Sequence, residues 1–279
     1  MAAARVRSLG GGMNSQTWWV EHDGATFVAK SVPASGLPDL IAGAEVAAAL
    51  ADAGFVTGRP VPAREGMLVL TDPALVLLQH VPGRELDGGT AEEQGWMADT
   101  LAGIHTAGNP AVGDPALGPG TAAFAPDWLS PHAPGVADHP WLTAAIDAVR
   151  AETDPLTVTW SVLHTDPFPG AFIHDDRTGT TGLVDWAGAR RGPVLYDVAS
   201  AVMYLGGTDR AAAFLRRYSA RGPLTAHELQ HLDAFRRFRA AVQGVYFAGR
   251  LATNDLTGGI DTTENEKGLA DARRLLATL

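Results

Sequence analysis

The sequence predicts an α+β chain in two lobes: a small N-terminal lobe built on an antiparallel sheet, and a larger, mainly helical C-terminal lobe. Three observations carry this. The first eighty residues alternate short β-patterned runs with turn signals and contain one helical stretch. A hinge-like stretch then follows, ending in Val81-Pro82-Gly83. Beyond it, apolar residues recur mostly at helical spacing. The expected lobes are residues 1–80 and 81–279. With 279 residues, 46% of them apolar and 19% charged, the chain suits a globular protein with a substantial core. The same figures exclude a disordered, collagen-like or coiled-coil chain.

The elements follow in order. Thr17–Glu21 and Thr26–Val32 are strand-like, joined by the turn signal His22-Asp23-Gly24. Pro38-Asp39 offers a cap for a helix from about Leu40 to Ala53, stopped by Gly54. Met67–Thr71 and Ala74–His80 form two further apolar runs around Asp72-Pro73. Trp96, Met97, Leu101 and Ile104 place a helix over Glu92–His105. Residues 107–140, rich in Gly, Pro and Ala, read as a long loop. A helix is expected over Trp141–Glu152, and strands over Val158–Leu163 and Gly182–Trp186, with Phe172–His174 between them. The rest is helical: Tyr196–Leu205, Asp209–Ala220, Thr225–Leu251 and Glu264–Leu279.

Charge and composition narrow the function. Twenty-one Lys and Arg stand against 31 Asp and Glu, a formal charge of −10, which disfavours a nucleic-acid partner and mildly favours cationic ones. The chain has no Cys, so disulfides, thiolate metal sites and Cys nucleophiles are excluded. No apolar run is expected to cross a bilayer, and the N-terminal residues lack the apolar segment of a signal peptide, so a cytoplasmic protein without membrane association is expected.

Lys30 and Lys267 are the only lysines in the sequence, so a strand Lys is a rare choice. Lys30 follows the glycine-rich stretch Gly10-Gly11-Gly12-Met13-Asn14-Ser15, whose backbone amides could approach phosphate while the ammonium supplies a point charge. No Gly-Lys-Ser/Thr follows the glycines, so this is not a P-loop. Glu45 lies in an apolar helical stretch, where an unpaired buried carboxylate is costly. It is expected either to pair with Lys30 or to face solvent. The run from Val162 to His174 contains His164-Thr165-Asp166 at a strand end, a Pro/Gly-rich loop and a second strand; Leu183-Val184-Asp185-Trp186 follows. Two carboxylates at the ends of neighbouring strands can divide the work of proton acceptance and metal binding.

Taken together, these segments resemble the aminoglycoside phosphotransferase family, small-molecule kinases with a protein-kinase-like fold. His164-Thr165-Asp166 resembles its catalytic loop, and Leu183-Val184-Asp185-Trp186 its metal motif. Tyr196-Asp197-Val198-Ala199 is similar to a downstream signature, and Leu101-Ala102-Gly103-Ile104-His105 to a helix end. Leu77-Leu78-Gln79-His80-Val81-Pro82-Gly83 resembles its hinge. The resemblance implies Asp166 as catalytic base and Asp185 as Mg²⁺ ligand. Lys30, held by Glu45, would contact the nucleotide phosphates. Gly11, Gly12 and Ser15 belong to the glycine-rich turn, and the backbone of Gln79, His80 and Val81 would meet the purine edge. His164 and Asp197 would support the catalytic loop. The implied cofactors are ATP or GTP and Mg²⁺. Where the family's loop has a metal-binding Asn, this chain has Ala171. One metal, a substitute oxygen and a nucleotide-binding pseudokinase are the three alternatives.

The implied acceptor is the hydroxyl of a small, cationic molecule, foremost an antibiotic, with a sugar or amino alcohol metabolite as alternative. Asp255, Glu264 and Trp128 are candidate acceptor contacts, with Asp127, Asp138, Asp261 and Glu266 as further acidic candidates. The expected assembly is a monomer or homodimer.

Overall fold

The computed structural model describes residues 4–10, 12–109 and 126–279. Its N-terminal part is a five-stranded antiparallel sheet: β1 (Arg5–Leu9), β2 (Gln16–His22), β3 (Ala25–Ser31), β4 (Val69–Thr71) and β5 (Ala74–Gln79), in the order β1-β2-β3-β5-β4. The β2–β3 register pairs Thr17 with Lys30 and His22 with Ala25. Asp23 and Gly24 close this hairpin with positive φ at both positions (48° and 78°), the turn geometry that matches strand twist. β1 precedes the first strand the sequence suggests. Its residues are largely exposed, with Val6 61% accessible, so the polar, arginine-bearing edge carries little hydrophobic signal.

α1 (Leu37–Asp52) begins three residues earlier than the periodicity suggests, with Pro38 in its first turn. Its buried stripe of Leu40, Gly43, Ala44, Ala47 and Leu50 lies between the sheet and a turn at residues 186–188. Residues 34–52 are, by length and hydropathy, apolar enough to cross a membrane, contrary to the expectation of no such run. In the fold one stripe of this segment packs against the sheet and the 186–188 turn, and the rest is exposed or half-buried. A Cβ on Gly43 would lie 2.2 Å from the Trp186 carbonyl oxygen, so only glycine permits this approach.

The C-terminal part contains β6 (Arg84–Glu85), α2 (Ala91–Ala107), α3 (Pro140–Thr153), β7 (Trp160–Leu163), β8 (Phe172–Asp175), β9 (Thr180–Leu183), β10 (Arg190–Pro193), α4 (Val194–Tyr204), α5 (Ala212–Arg221), α6 (Ala226–Leu229), α7 (Leu232–Ala252) and α8 (Thr262–Thr278). β7 pairs with β10, and β8 lies between β6 and β9. The expected strand at 182–186 ends at Leu183, where the chain turns. The expected helix over 225–251 is two helices. Thr225 and Glu228 form a reciprocal capping box that starts α6, and Glu228 Oε1 also accepts the Thr159 amide ahead of β7. α7 then packs against α3, α4 and α8. The main core, which includes the fully buried Tyr196, Tyr218, Phe172, Phe214 and Phe235, occupies this part; a smaller cluster of Leu40, Ala44, Val69 and Val76 lies under the sheet. The whole is the two-lobed α+β architecture the sequence predicts.

Candidate active site

Lys30 is carried on β3 and is 8% exposed. Its ammonium donates to Asp185 Oδ1, a partner 155 residues away in the other lobe. The Asp185 side chain is 43% exposed, and its Oδ1 meets the buried Lys30 ammonium. Burial alone would raise this carboxyl; the charge of Lys30 and the bond it donates outweigh burial and hold it below its ordinary value. Asp185 itself sits at φ 71°, a left-handed position that ends the extended run after β9 and turns the carboxylate toward Lys30. A small cavity here is lined by Lys30, Thr57, Val76, Leu78, Asp185 and Trp186, among others.

Asp166 lies in the loop after β7, its side chain 53% exposed. The residue before it, Thr165, has φ 76°, a strained conformation for a β-branched side chain. Its surroundings over-determine it. The buried Asp197 carboxylate accepts the His164 amide through Oδ2 and the Thr165 amide through Oδ1, each at 2.7 Å. Asp197 Oδ2 also meets His105 Nε2 at 3.1 Å, and His105 Nδ1 meets the Tyr218 hydroxyl at 2.6 Å. His164 Nε2 lies 2.8 Å from the Val184 carbonyl, and Thr165 Oγ1 donates to the Gly188 carbonyl at 3.0 Å. These two bonds stitch the Asp166 loop to the Asp185 turn. Gly188 is required there: a Cβ would stand 2.5 Å from Thr165 Oγ1.

Other expected contacts differ. Glu45 is exposed and does not pair with Lys30, whose partner is Asp185. At 3.6 residues per turn, Glu45 falls opposite the buried stripe of α1, so helix phase points it to solvent. Asp255 and Glu264 are not free acceptor contacts. Asp255 accepts the Thr257 amide at 2.8 Å and pairs with the buried Arg250 at 3.3 Å. Glu264 completes a capping box with Asp261 at the start of α8. Trp128 packs its ring against Tyr196, centroids 5.3 Å apart. Ala171 is buried in the core, so its side chain holds no metal.

At the end of β5 and just beyond it, the amides of Gln79 and His80 donate to the carbonyls of Arg59 (2.9 Å) and Thr26 (3.3 Å). The Val81 amide has no acceptor among the described residues. Gly11 lies outside the described residues. Gly12 and Ser15 are in the turn between β1 and β2, with Ser15 buried and a polar cavity beside it lined by Ser8, Gln16, Trp18, Gly258 and Gly259. Among the described residues, no cluster of three or more His, Asp or Glu could hold a metal by itself. One or two carboxylates commonly hold Mg²⁺ when phosphate oxygens complete its shell. Asp185, kept ionised by Lys30, suits that role.

Sequence reasoning missed two arginines on α7. Arg239 reaches Asp166, and Arg250 gathers the turn after β1, the end of α7 and α8. Both lie among further arginines on an amphipathic helix, a pattern that reads as a solvated face.

The model of the APH phosphotransferase enzyme family matches residues 5–235. The chain is 29% identical over 216 residues to homoserine kinase of Caulobacter vibrioides, covering 73% of this chain and 67% of that protein. In structure it is similar to choline kinase LicA from Streptococcus pneumoniae, with a TM-score of 0.73 and 16% identity over 99% of this chain and 94% of that one. It is also similar to amicoumacin kinase hAmiN, solved with AMP-PNP and Ca²⁺, with a TM-score of 0.69 and 15% identity over 98% and 88% of the two chains. With that match spanning most of its length and a kinase-like fold beneath it, the chain belongs to the phosphotransferase enzyme family and is a small-molecule phosphotransferase.

Proposed function

We propose that this protein transfers the γ-phosphoryl group of ATP to a hydroxyl of a small amine-bearing molecule, foremost a hydroxy amino acid or amino alcohol. The observation that carries this is the Lys30–Asp185 pair, which brings a cation and a metal-binding carboxylate from opposite lobes to one cleft beside the Asp166 loop. Lys30 would bind nucleotide phosphate and Asp185 would hold Mg²⁺, which when bound would neutralise charge on the phosphate oxygens. The free Val81 amide offers a donor to the adenine edge. Asp166 accepts the hydrogen bond of the acceptor hydroxyl and takes its proton. The bond between the γ-phosphorus and the β,γ-bridging oxygen breaks as the acceptor oxygen bonds to that phosphorus, and ADP leaves.

The amine-bearing class is supported by the likeness to homoserine kinase and choline kinase, and by the acidic charge of the chain. An antibiotic acceptor is the second reading, favoured by the likeness to amicoumacin kinase. The proposed lobes are residues 1–80 and 81–279, and the use of ATP as donor supports a cytoplasmic reaction. The test is ADP release from Mg-ATP with homoserine, choline, aminopropanol and a set of aminoglycoside, macrolide and peptide antibiotics. Turnover with at least one acceptor is expected, falling to a small residual rate in Asp166→Ala with ATP affinity nearly intact. ATP binding with no turnover on any acceptor would favour a nucleotide-binding pseudokinase and contradict the proposal.

A further inference from the structure

Asp166 Oδ1 is met by two donors at once. The Tyr204 hydroxyl, at the end of α4, donates to it at 2.5 Å, and Arg239 Nη2, from α7, at 3.1 Å. The two donors also touch each other: Arg239 Nη2 lies 3.3 Å from the Tyr204 oxygen, and the guanidinium carbon is 5.9 Å from the centre of the Tyr204 ring. The far side of the guanidinium is anchored, because Nε donates to Ser200 Oγ at 3.1 Å, and the Ser200 hydroxyl in turn reaches the Thr165 carbonyl at 3.4 Å. Arg239 is 9% exposed, so its rotamer is set by packing. Burial opposes its charge, and the oxygens of Tyr196, Tyr204 and Asp166 outweigh that, so the guanidinium titrates above its ordinary value. Desolvation at its crowded hydroxyl end raises the Tyr204 phenol well above its ordinary value, which keeps it a donor.

The chemistry of the proposed transfer makes this arrangement informative. A carboxylate that must take a proton from an acceptor hydroxyl has two oxygens and free rotation about its terminal bond. Two fixed donors on one oxygen remove that rotation. The other oxygen, Oδ2, accepts no bond among the described residues, on a side chain that is half-exposed. A charge-assisted bond from a planar, anchored guanidinium holds direction better than a mobile ammonium would.

We infer that Arg239 and Tyr204 are positioning residues for the phosphoryl transfer: they clasp Oδ1 of Asp166 so that Oδ2 alone receives the acceptor hydroxyl. They act through Asp166 and touch neither ATP nor acceptor. The inference rests on the proposed role of Asp166 as the base.

The experiment is steady-state transfer by the full chain with its best acceptor, comparing wild type, Tyr204→Phe, Arg239→Lys, Arg239→Met and Asp166→Ala, and each of the first three variants combined with Asp166→Ala. Tyr204→Phe removes only a hydroxyl from an exposed residue and is the variant least exposed to folding loss; thermal melting and Mg-ATP affinity check the others. Tyr204→Phe is expected to lower kcat about tenfold and Arg239→Met about a hundredfold, with KM for ATP unchanged within twofold. Arg239→Lys, which restores the charge without the fork, should recover part of that loss. In the Asp166→Ala background, neither change should lower the residual rate further, because the residue they orient is gone. Wild-type kcat in Tyr204→Phe, or equal fold-losses in the Asp166 and Asp166→Ala backgrounds, would overturn the inference. A wild-type chain that transfers phosphate to an acceptor at a rate unaffected by Asp166→Ala would instead overturn the assignment of Asp166 on which it rests.

Discussion

A lone strand lysine gains its meaning from the carboxylate it meets, and Lys30 meets Asp185 across the cleft. Lys30→Met should therefore leave the sheet intact but lower kcat/KM for ATP by at least about a hundredfold, since a fixed charge aimed at phosphate typically contributes that much; steady-state kinetics at varied ATP checks it. Gly43 is the second residue on which the site depends. Gly43→Val forces β-carbon and methyl groups into the Trp186 carbonyl and should cost roughly 1–3 kcal/mol of stability by overpacking, read from urea unfolding, with a fall in activity as the Asp185 turn shifts. At this scale the sequence was informative where residue type was rare or the motif dense: Lys30, Asp166, Asp185 and Asp197 all stand at the cleft or beneath its loops. At Glu45 the residues left pairing and solvent both open, and helix phase selects solvent; the pairing implied by the resemblance is not made. It was silent on Arg239, since nothing local distinguishes a buried arginine from Arg236 and Arg237 beside it; only the packing of α7 against α4 does.

Among the elements, α7 does most to join distant segments. Arg250, 3% exposed, donates to Asn265 in α8, to the Met13 carbonyl and Asn14 in the glycine-rich turn, to Asp255 and to the Thr257 carbonyl. Tyr246 adds a bond to Asn14 at 2.7 Å. Gly258 lies so close to this turn that a Cβ would stand 2.4 Å from the Gly12 carbonyl. The residues read as acceptor contacts near the C-terminus are thus engaged in holding a loop against the glycine-rich turn, a relation invisible in a sequence where the two ends are over two hundred positions apart. Arg250→Met should destabilise the protein by about 3 kcal/mol in urea unfolding and raise KM for ATP as the turn loosens. Two helix starts contribute to acid stability. For Glu93, burial raises the carboxyl, but the bond from Arg84 and the amides of Asp87 and Gly88 outweigh it and hold it below its ordinary value. Glu228 is held low in the same way, by Thr225 and Thr159 against burial. A folded value below the unfolded one contributes stability that is present above the unfolded glutamate value and lost as pH falls through the folded one. The melting temperature should therefore fall steeply between about pH 5 and pH 3, and less steeply in Glu93→Gln, as scanning calorimetry across that range would record.

At the scale of the molecule, the two-lobed plan was legible because periodicity changes at the hinge: strand-length runs before Val81, helical spacing after it. The edge strand β1, the short β6 and β10, and the break between α6 and α7 were not legible, because an exposed edge carries no apolar alternation and a two-residue break between helices interrupts the apolar pattern too briefly to show. What the plan achieves is convergence. The sheet delivers Lys30, the β7 loop delivers Asp166, and the turn after β9 delivers Asp185, with Asp197 and His164 fastening the last two loops together. Calorimetric titration of Mg-ATP into wild type, Lys30→Met, Asp185→Asn and Asp166→Ala, each checked for folding by circular dichroism, tests this convergence most directly. The account predicts wild-type affinity in Asp166→Ala and a loss of at least about tenfold in Lys30→Met and Asp185→Asn; unchanged Mg-ATP affinity in Lys30→Met would contradict it.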